Sequence, residues 1–364
     1  MKKKNVLLAM SGGIDSSVAA HLLIKDGYQV TGIYFSLVEE EDRVKSEEKN
    51  NPQYYTGGKR AQLIAKKLNI PLYEIDYRKE FEKIVIQDFI RKYHNGITPN
   101  PCILCNERIK FKLLEFYADK MNIQFLATGH YVRVQQGHTQ NEFVLKRGVD
   151  KGKDQSYFLY RLNKNIFYRC IFPLGNLKKD MVKSIAAEIG IDITNIKESQ
   201  EICFIPGNNY RKFIKNKNNR KTNNKPGYFI DDKGNVLGKH KGIAFYTIGQ
   251  RRKIGLSLNS RKYITSIDPD KNTIVIGDEP DLYKNKLKLE DVHIISNIQK
   301  SCPLYLQVQI RYNSAAFWAK IFPDEEDNSN ATVIFDEPIR AITAGQSAVF
   351  YDNENVIGGG IISN

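Results

Sequence analysis

No apolar run in this 364-residue chain is long enough to cross a bilayer, so no membrane partner is expected. The chain starts Met-Lys-Lys-Lys before a few apolar residues. That run is too short for a signal peptide and flows straight into a glycine turn, so the expected location is cytoplasmic. Cysteine is scarce and odd in number, with five residues at 102, 105, 170, 203 and 302. Such a set in a long chain argues against a secreted disulfide framework and for reduced thiols. Acid is in deficit: 41 Asp and Glu face 55 Lys and Arg, leaving a net charge of +14. A balance of that sign points to a polyanionic partner, nucleic acid before membrane. No internal repeat of useful length is present. The length predicts two or three domains, and 41% hydrophobic residues with 11% aromatic can fill their cores.

The most informative residues are SGGIDS at 11–16, between an apolar run at 5–10 and an amphipathic stretch at 17–25. That order predicts strand, tight glycine turn, helix. Such a turn aims backbone N–H groups and the positive helix end at one spot, which suits a phosphate. The Walker A pattern is absent, because no Gly-Lys-Ser/Thr follows the glycines. The loop instead resembles the SGGxDS signature of the PP-loop ATP pyrophosphatases. The resemblance implies that it grips a pyrophosphate leaving group while AMP passes to the substrate. Asp15 is a candidate for holding Mg²⁺ there. Gly129 follows a predicted strand, where a missing side chain lets a nucleotide approach the backbone; His130 reads as structural.

Strand and helix alternate through the first half. Residues 29–36 and 72–77 read as extended, 59–68, 81–93 and 107–121 as helical, and 124–128 as a short buried strand. A parallel sheet covered on both faces is expected, with ligands at the carboxyl ends of its strands. The mixed-charge run 39–51 reads as a solvated loop. The basic run 215–225 is a surface loop or a phosphate-backbone contact. From residue 227 the texture becomes β-rich, with strands expected at 304–310, 316–321, 331–335, 347–351 and 356–361. The tail therefore reads as a small antiparallel barrel. The expected fold is α/β: an N-terminal doubly wound parallel sheet of the PP-loop, adenine nucleotide alpha hydrolase-like kind, a small central domain and a C-terminal antiparallel β-barrel. The expected boundaries are 1–206, 207–268 and 269–364.

The second specific motif is TPNPCILCNERIKF at 98–111. Its prolines lock an extended approach, and a helix is expected to begin right after Cys105. That would set the Cys105 thiol beside a helix N-terminus, near Arg108 and Lys110, and lower its pKa from about 8.5 toward a nucleophilic thiolate. Glu107 works against this. Cys203 lies in ESQEICFIP at 198–206, a segment suited to a loop folding over a site; read alone, such a cysteine is more often apolar filler. Cys170 and Cys302 fall outside every motif and read as packing residues.

Together these segments resemble the tRNA-specific 2-thiouridylases. The matching stretches run in order along nearly the whole chain: AMSGGIDSS at 9–17, GITPNPCILCNERIKF at 96–111, LATGHYVR at 126–133, KDQSYFL at 153–159, ESQEICFIP at 198–206, YTIGQRR at 246–252 and QIRYN at 309–313. The resemblance implies that ATP binds at Ala9, Met10, Ser11, Gly12, Gly13, Ile14, Asp15, Ser16, Phe35 and Gly129. It implies adenylation of O2 of the wobble uridine (U34) of a tRNA, then delivery of sulfur from a persulfide on Cys203. Cys105 would be the nucleophile that releases it, ending in a disulfide with Cys203. Asn100, Pro101 and Cys102 would touch the target base. Lys153, Asp154, Gln155, Arg311 and Tyr312 would contact tRNA, and a persulfide-carrying protein or cysteine desulfurase would supply the sulfur.

Two departures stand out. Many family members carry aspartate at the position of Cys102, where it could serve as a base, and GQRRKIGLS at 249–257 carries one residue more than the usual spacing. Cys102, Cys105 and Cys203 could also jointly hold a metal or an iron–sulfur cluster. Two rival functions remain at this stage: another PP-loop adenylating enzyme, such as an amide-forming ligase, and a nucleic-acid-binding protein with a vestigial nucleotide site. The first would be indifferent to loss of Cys203; the second would bind tRNA without releasing pyrophosphate.

Overall fold

The structure is a computed structural model. It describes residues 4–39, 56–137, 142–191, 202–205, 207, 209–217, 225–257, 260–296, 303–324, 326–327 and 329–363. Most of 39–51, residues 218–224 of the basic run, residues 198–201 and 206 of the Cys203 motif, and Cys302 lie outside the described residues. The chain divides into two compact units, the first formed by 1–85, 102–204 and 354–356, the second by 86–101, 205–353 and 357–364.

The first unit is built on a five-stranded parallel sheet in the order Leu72–Asp76, Gln29–Ser36, Asn5–Ala9, Phe125–Ala127, Cys170–Ile171. The central strand buries Val6, Leu7 and Leu8 completely. A strand covered on both faces needs such a continuous apolar run rather than alternation. Helix Ile14–Lys25 packs through Val18, Ala19 and Leu23, and helix Gly57–Lys67 through Ala61 and Ile64. Thr56 caps the latter, accepting from the Lys59 amide at 3.3 Å. Strand order runs outward in both directions from Asn5–Ala9, so the sheet reverses between that strand and Phe125–Ala127. Ligands of doubly wound sheets bind at this switch point.

Two helices differ from the sequence reading. The stretch expected as one helix over 81–93 is α-helical at Arg78–Phe81 and Gln87–His94 with a π-helical turn, Glu82–Ile86, between. The helix expected to start after Cys105 starts at Pro101: it is α-helical over Pro101–Cys105, π-helical over Asn106–Lys110 and α-helical again over Phe111–Lys120. The physical reason is Pro101 itself, whose locked φ and missing N–H suit the first helical position. An antiparallel hairpin, Val132–Gln136 with Phe143–Arg147, was not expected; Lys146 of it pairs with Asn355.

The second unit holds two sheets. The smaller, in the order Tyr263–Asp268, Thr273–Gly277, Gly227–Ile230, Val236–His240, packs Phe229, Ile264, Ile274 and Ile276 into its core. The larger is an antiparallel barrel of Tyr283–Ile294, Ala331–Arg340, Phe317–Pro323, Leu304–Gln309, Ser347–Asp352 and Asn355–Ile362. It closes because the first strand also pairs with the last. Alternate residues such as Leu287, Leu289, Val333 and Phe335 fill the interior. The segment 249–257 turns through positive φ at Gly249, Lys253 and Gly255, so its extra residue sits in a loop. Among the described residues no helix is long and apolar enough to cross a membrane.

Candidate nucleotide and sulfur site

The glycine loop leaves the carboxyl end of the central strand. Gly12 has φ +72°, and a Cβ there would lie 2.2 Å from the Gly57 carbonyl oxygen and 2.9 Å from the Ala61 amide. Glycine is therefore required both by backbone and by the helix pressed against it. Arg60 donates Nε to the Gly12 carbonyl at 3.1 Å. Ser16 Oγ accepts from the Ser11 amide at 3.2 Å and donates to the Gly13 carbonyl at 3.1 Å; Ser17 Oγ donates to the same carbonyl at 2.7 Å. Gly13 caps helix Ile14–Lys25 with no side-chain acceptor, leaving the helix end to an anionic ligand. Met10 is buried beneath the loop, Ala9 ends the strand, and Phe35 stands half-buried near the same edge of the neighbouring strand.

Across the switch point, a Cβ on Gly129 would lie 2.9 Å from the Ser16 amide and 3.0 Å from the Asp15 carbonyl carbon. The two loops thus touch, and only a glycine permits it. Asp15 Oδ1 accepts from Tyr131 Oη at 2.7 Å and from Lys179 Nζ at 2.6 Å. The Lys179 side chain is 8% exposed and that of Asp15 38%. Lys179 also lies 5.6 Å from the Tyr131 ring centroid. Sequence reasoning missed Tyr131, although it lies within LATGHYVR at 126–133, and also Arg60 and Lys179, which reach the loop from segments with no motif of their own.

The cysteines occupy the same unit. Cys105 is buried, Cys102 half-buried and Cys203 exposed. Beside Cys203, Phe204 is anchored edge-on against Phe81, with centroids 5.8 Å apart. The expected low thiol pKa is reversed. Burial pushes Cys105 up to about 12 and Cys102 up to about 11, with the Lys110 charge only partly offsetting it. Cys105 lies inside the helix rather than at its N-terminus, so the helix end no longer aids its ionisation. Cys170 is buried at the sheet edge, and burial raises its pKa as well. His130 is pulled down to about 3 by burial and by Lys110, and so is neutral; its Nδ1 lies 2.8 Å from Thr128 Oγ1. Among the described residues no three His, Cys, Asp or Glu side chains gather into a metal site.

Lys153, Asp154 and Gln155 lie on the turn after the hairpin. Asp154 is buried and accepts from Arg147 Nη1 at 2.9 Å, the Gly148 amide at 3.0 Å and Ser156 Oγ at 2.9 Å, which shapes that turn. Gln155 Oε1 accepts from the Tyr131 amide at 3.0 Å. In the second unit, Arg311 Nη2 donates to the Ala341 carbonyl at 2.6 Å and to Thr343 Oγ1. The segment leading to Asn100 and Pro101 is tied to the same turn: the Thr98 amide donates to the Ala344 carbonyl at 3.0 Å, and Gln346 Nε2 donates to the Thr98 carbonyl at 3.0 Å. Tyr312 follows Arg311, its carbonyl accepting from Gln309 Nε2 at 2.7 Å.

A doubly wound sheet with an anion-ready glycine loop at its switch point, and thiols in the same unit, defines a nucleotide-binding α/β protein equipped for sulfur chemistry. Comparison with known proteins refines this class. Residues 4–207 match the family described as the tRNA methyl transferase HUP domain, 211–278 the tRNA methyl transferase PRC-barrel domain and 284–362 the aminomethyltransferase beta-barrel domain. A protein of Acetivibrio thermocellus named tRNA-specific 2-thiouridylase MnmA is 40% identical over 362 residues, covering 100% of both chains. One of the same name from Clostridium perfringens is 42% identical over 364 residues, covering 100% of this chain and 99% of its own. The chain belongs to the tRNA-specific 2-thiouridylase family. Among solved structures, the predicted subunit of tRNA methyltransferase from Methanocaldococcus jannaschii is 21% identical over 51% of this chain and 75% of that one, with a TM-score of 0.29, too loose a likeness to add to the argument.

Proposed function

We propose that the protein is an ATP-dependent tRNA-uridine 2-sulfurtransferase, converting the wobble uridine U34 to 2-thiouridine. The observation that carries this reading is the contact of the glycine loop with Gly129, beside His130, which burial and then the charge of Lys110 hold neutral, the same Lys110 whose charge acts on the cysteines. A glycine loop able to take a phosphate and the cysteines within one unit support this reading.

ATP would lie over residues 9–16, with Phe35 and Gly129 beside it. The half-exposed carboxylate of Asp15 fits a Mg²⁺, an ion that takes one or two carboxylates plus phosphate oxygens. When bound, Mg²⁺ would neutralise the pyrophosphate, and Lys179 adds fixed positive charge nearby. O2 of the uridine attacks the α-phosphorus and pyrophosphate leaves, turning a poor leaving group into AMP. Cys203, exposed at its turn, receives a persulfide from a partner protein, a sulfur carrier or cysteine desulfurase. The terminal sulfur attacks C2 and AMP departs, leaving uridine joined to Cys203 through a disulfide. Cys105 then attacks the Cys203 sulfur, releasing 2-thiouridine and forming a Cys105–Cys203 disulfide that a reductant must reopen.

At about 11, the Cys102 thiol keeps its proton at neutral pH, so it serves as a neutral contact to the base where an aspartate would accept a proton. Asn100 and Pro101 stand beside it in sequence. The target base must leave the anticodon stack to reach these groups. Lys153, Asp154, Gln155, Arg311 and Tyr312 would meet the tRNA, with Asp154 shaping the turn that presents its neighbours. Pyrophosphate release with unmodified tRNA tests the two halves separately. Cys203→Ser should still release pyrophosphate on first turnover while forming no 2-thiouridine from a persulfide donor. Thiouridine at the wild-type level from Cys203→Ser would refute the sulfur assignment.

A further inference from the structure

The helix carrying Cys102 and Cys105 changes pitch directly after the second thiol. Cys102 and Cys105 are spaced i, i+3 on an α-helical segment and so share a face. In a continued α-helix Lys110 would stand about 140° round from Cys105. The π turn over Asn106–Lys110 closes its hydrogen bonds at i→i+5 and swings the fifth residue back under Cys105. Lys110 therefore joins the thiols on one face, and its charge meets Cys105, Cys203 and Cys102 together. Such turns are rare and cluster at functional sites.

Among the described residues Lys110 has no carboxylate partner. The nearest acid in sequence, Glu107, is engaged by Arg161 Nε at 2.8 Å and Arg108 Nε at 3.3 Å. The other titratable group facing Lys110 is His130, which is held neutral. A desolvated ammonium without a counter-charge is costly, and the fold retains one here beside three sulfurs.

Resting on the thiolation reading above, we infer that Lys110 is the anion subsite of the sulfur centre: its ammonium holds the thiolate or persulfide anion of Cys203, and the Cys105 thiolate as it forms. Lys110 is then a positioning residue, acting through the sulfurs rather than on the uridine. It also supplies the main force opposing burial at Cys105 and Cys102.

The test uses the full chain without ATP or tRNA, so its outcome is independent of whether thiouridine is made. Alkylation of Cys203 by iodoacetamide is followed against pH by peptide mass spectrometry. An opposite charge within a few ångströms moves a pKa by about one unit or more. Lys110→Met should therefore raise the midpoint by about one unit and slow labelling roughly tenfold at neutral pH, while Lys110→Arg stays within about twofold of wild type. An unchanged profile in a folded Lys110→Met protein overturns the inference. Should that variant not fold, the wild type decides alone. Its iodoacetate-to-iodoacetamide rate ratio at Cys203 should exceed that of a cysteine in a short neutral peptide, because an ammonium attracts the anionic reagent. A ratio at or below the peptide's overturns the inference.

Discussion

Removing either partner of the Asp15–Lys179 pair should have unequal effects, because the two charges are unequally buried. In Asp15→Asn the ammonium of Lys179, whose side chain is 8% exposed, loses the carboxylate that stands 2.6 Å away. Breaking a buried pair in this way costs about 3–5 kcal/mol. The low end, about 3 kcal/mol, applies here, since Asp15 is 38% exposed and the Tyr131 ring stays 5.6 Å from the ammonium. In Lys179→Met the carboxylate left behind can hydrate and keeps the Tyr131 hydroxyl at 2.7 Å, so the loss should be about 1 kcal/mol. The single tryptophan, Trp318, lies in the second unit and would miss this event. Urea unfolding should instead be followed by far-UV circular dichroism, which sees the helices of the first unit. Both variants should bind ATP more weakly. Equal destabilisation, or a larger loss in Lys179→Met, would refute the burial argument.

With its thiol near 12, Cys105 in the free protein should alkylate more slowly at neutral pH than an ordinary exposed cysteine by roughly three orders of magnitude in thiolate fraction alone; labelling as fast as that of Cys203 would contradict this. His130 makes the fold acid-sensitive. Its folded pKa, about 3, lies below the ordinary 6.5, so its neutral form's contribution is full above about 6.5 and is lost as pH falls toward 3. His130→Gln should flatten the fall of the urea midpoint over that window, and an unchanged slope would argue against a buried neutral imidazole. Binding of tRNA should weaken linearly in log–log plots against salt, with Lys153→Ala and Arg311→Ala each reducing the slope by about one if each meets a phosphate. A salt-independent affinity would rule out the basic surface as the docking site.

The glycine loop was legible because one local segment, SGGIDS between an apolar run and an amphipathic one, determines both conformation and chemistry. Barrel strands such as Ser347–Asp352 were legible from their apolar content. Tyr283–Ile294 was not, since only Leu287 and Leu289 of its residues are buried and most of the others are polar. The start of the cysteine helix was misplaced because Pro101 was read as the end of an extended approach, whereas its locked φ serves equally to begin a helix. The direction of the Cys105 shift came out opposite for a related reason: neighbouring charges are visible in a sequence, while desolvation depends on what packs over the thiol. Lys179 reaches Asp15 across 164 positions of chain, a pairing that only the fold creates.

Nucleoside mass spectrometry tests the central claim most directly. Unmodified tRNA would be incubated with the protein, ATP, Mg²⁺ and a persulfide donor, with Cys203→Ser in parallel. The account predicts 2-thiouridine at position 34, dependent on ATP and absent in the variant. Pyrophosphate release with no thiouridine from the wild-type protein would contradict it.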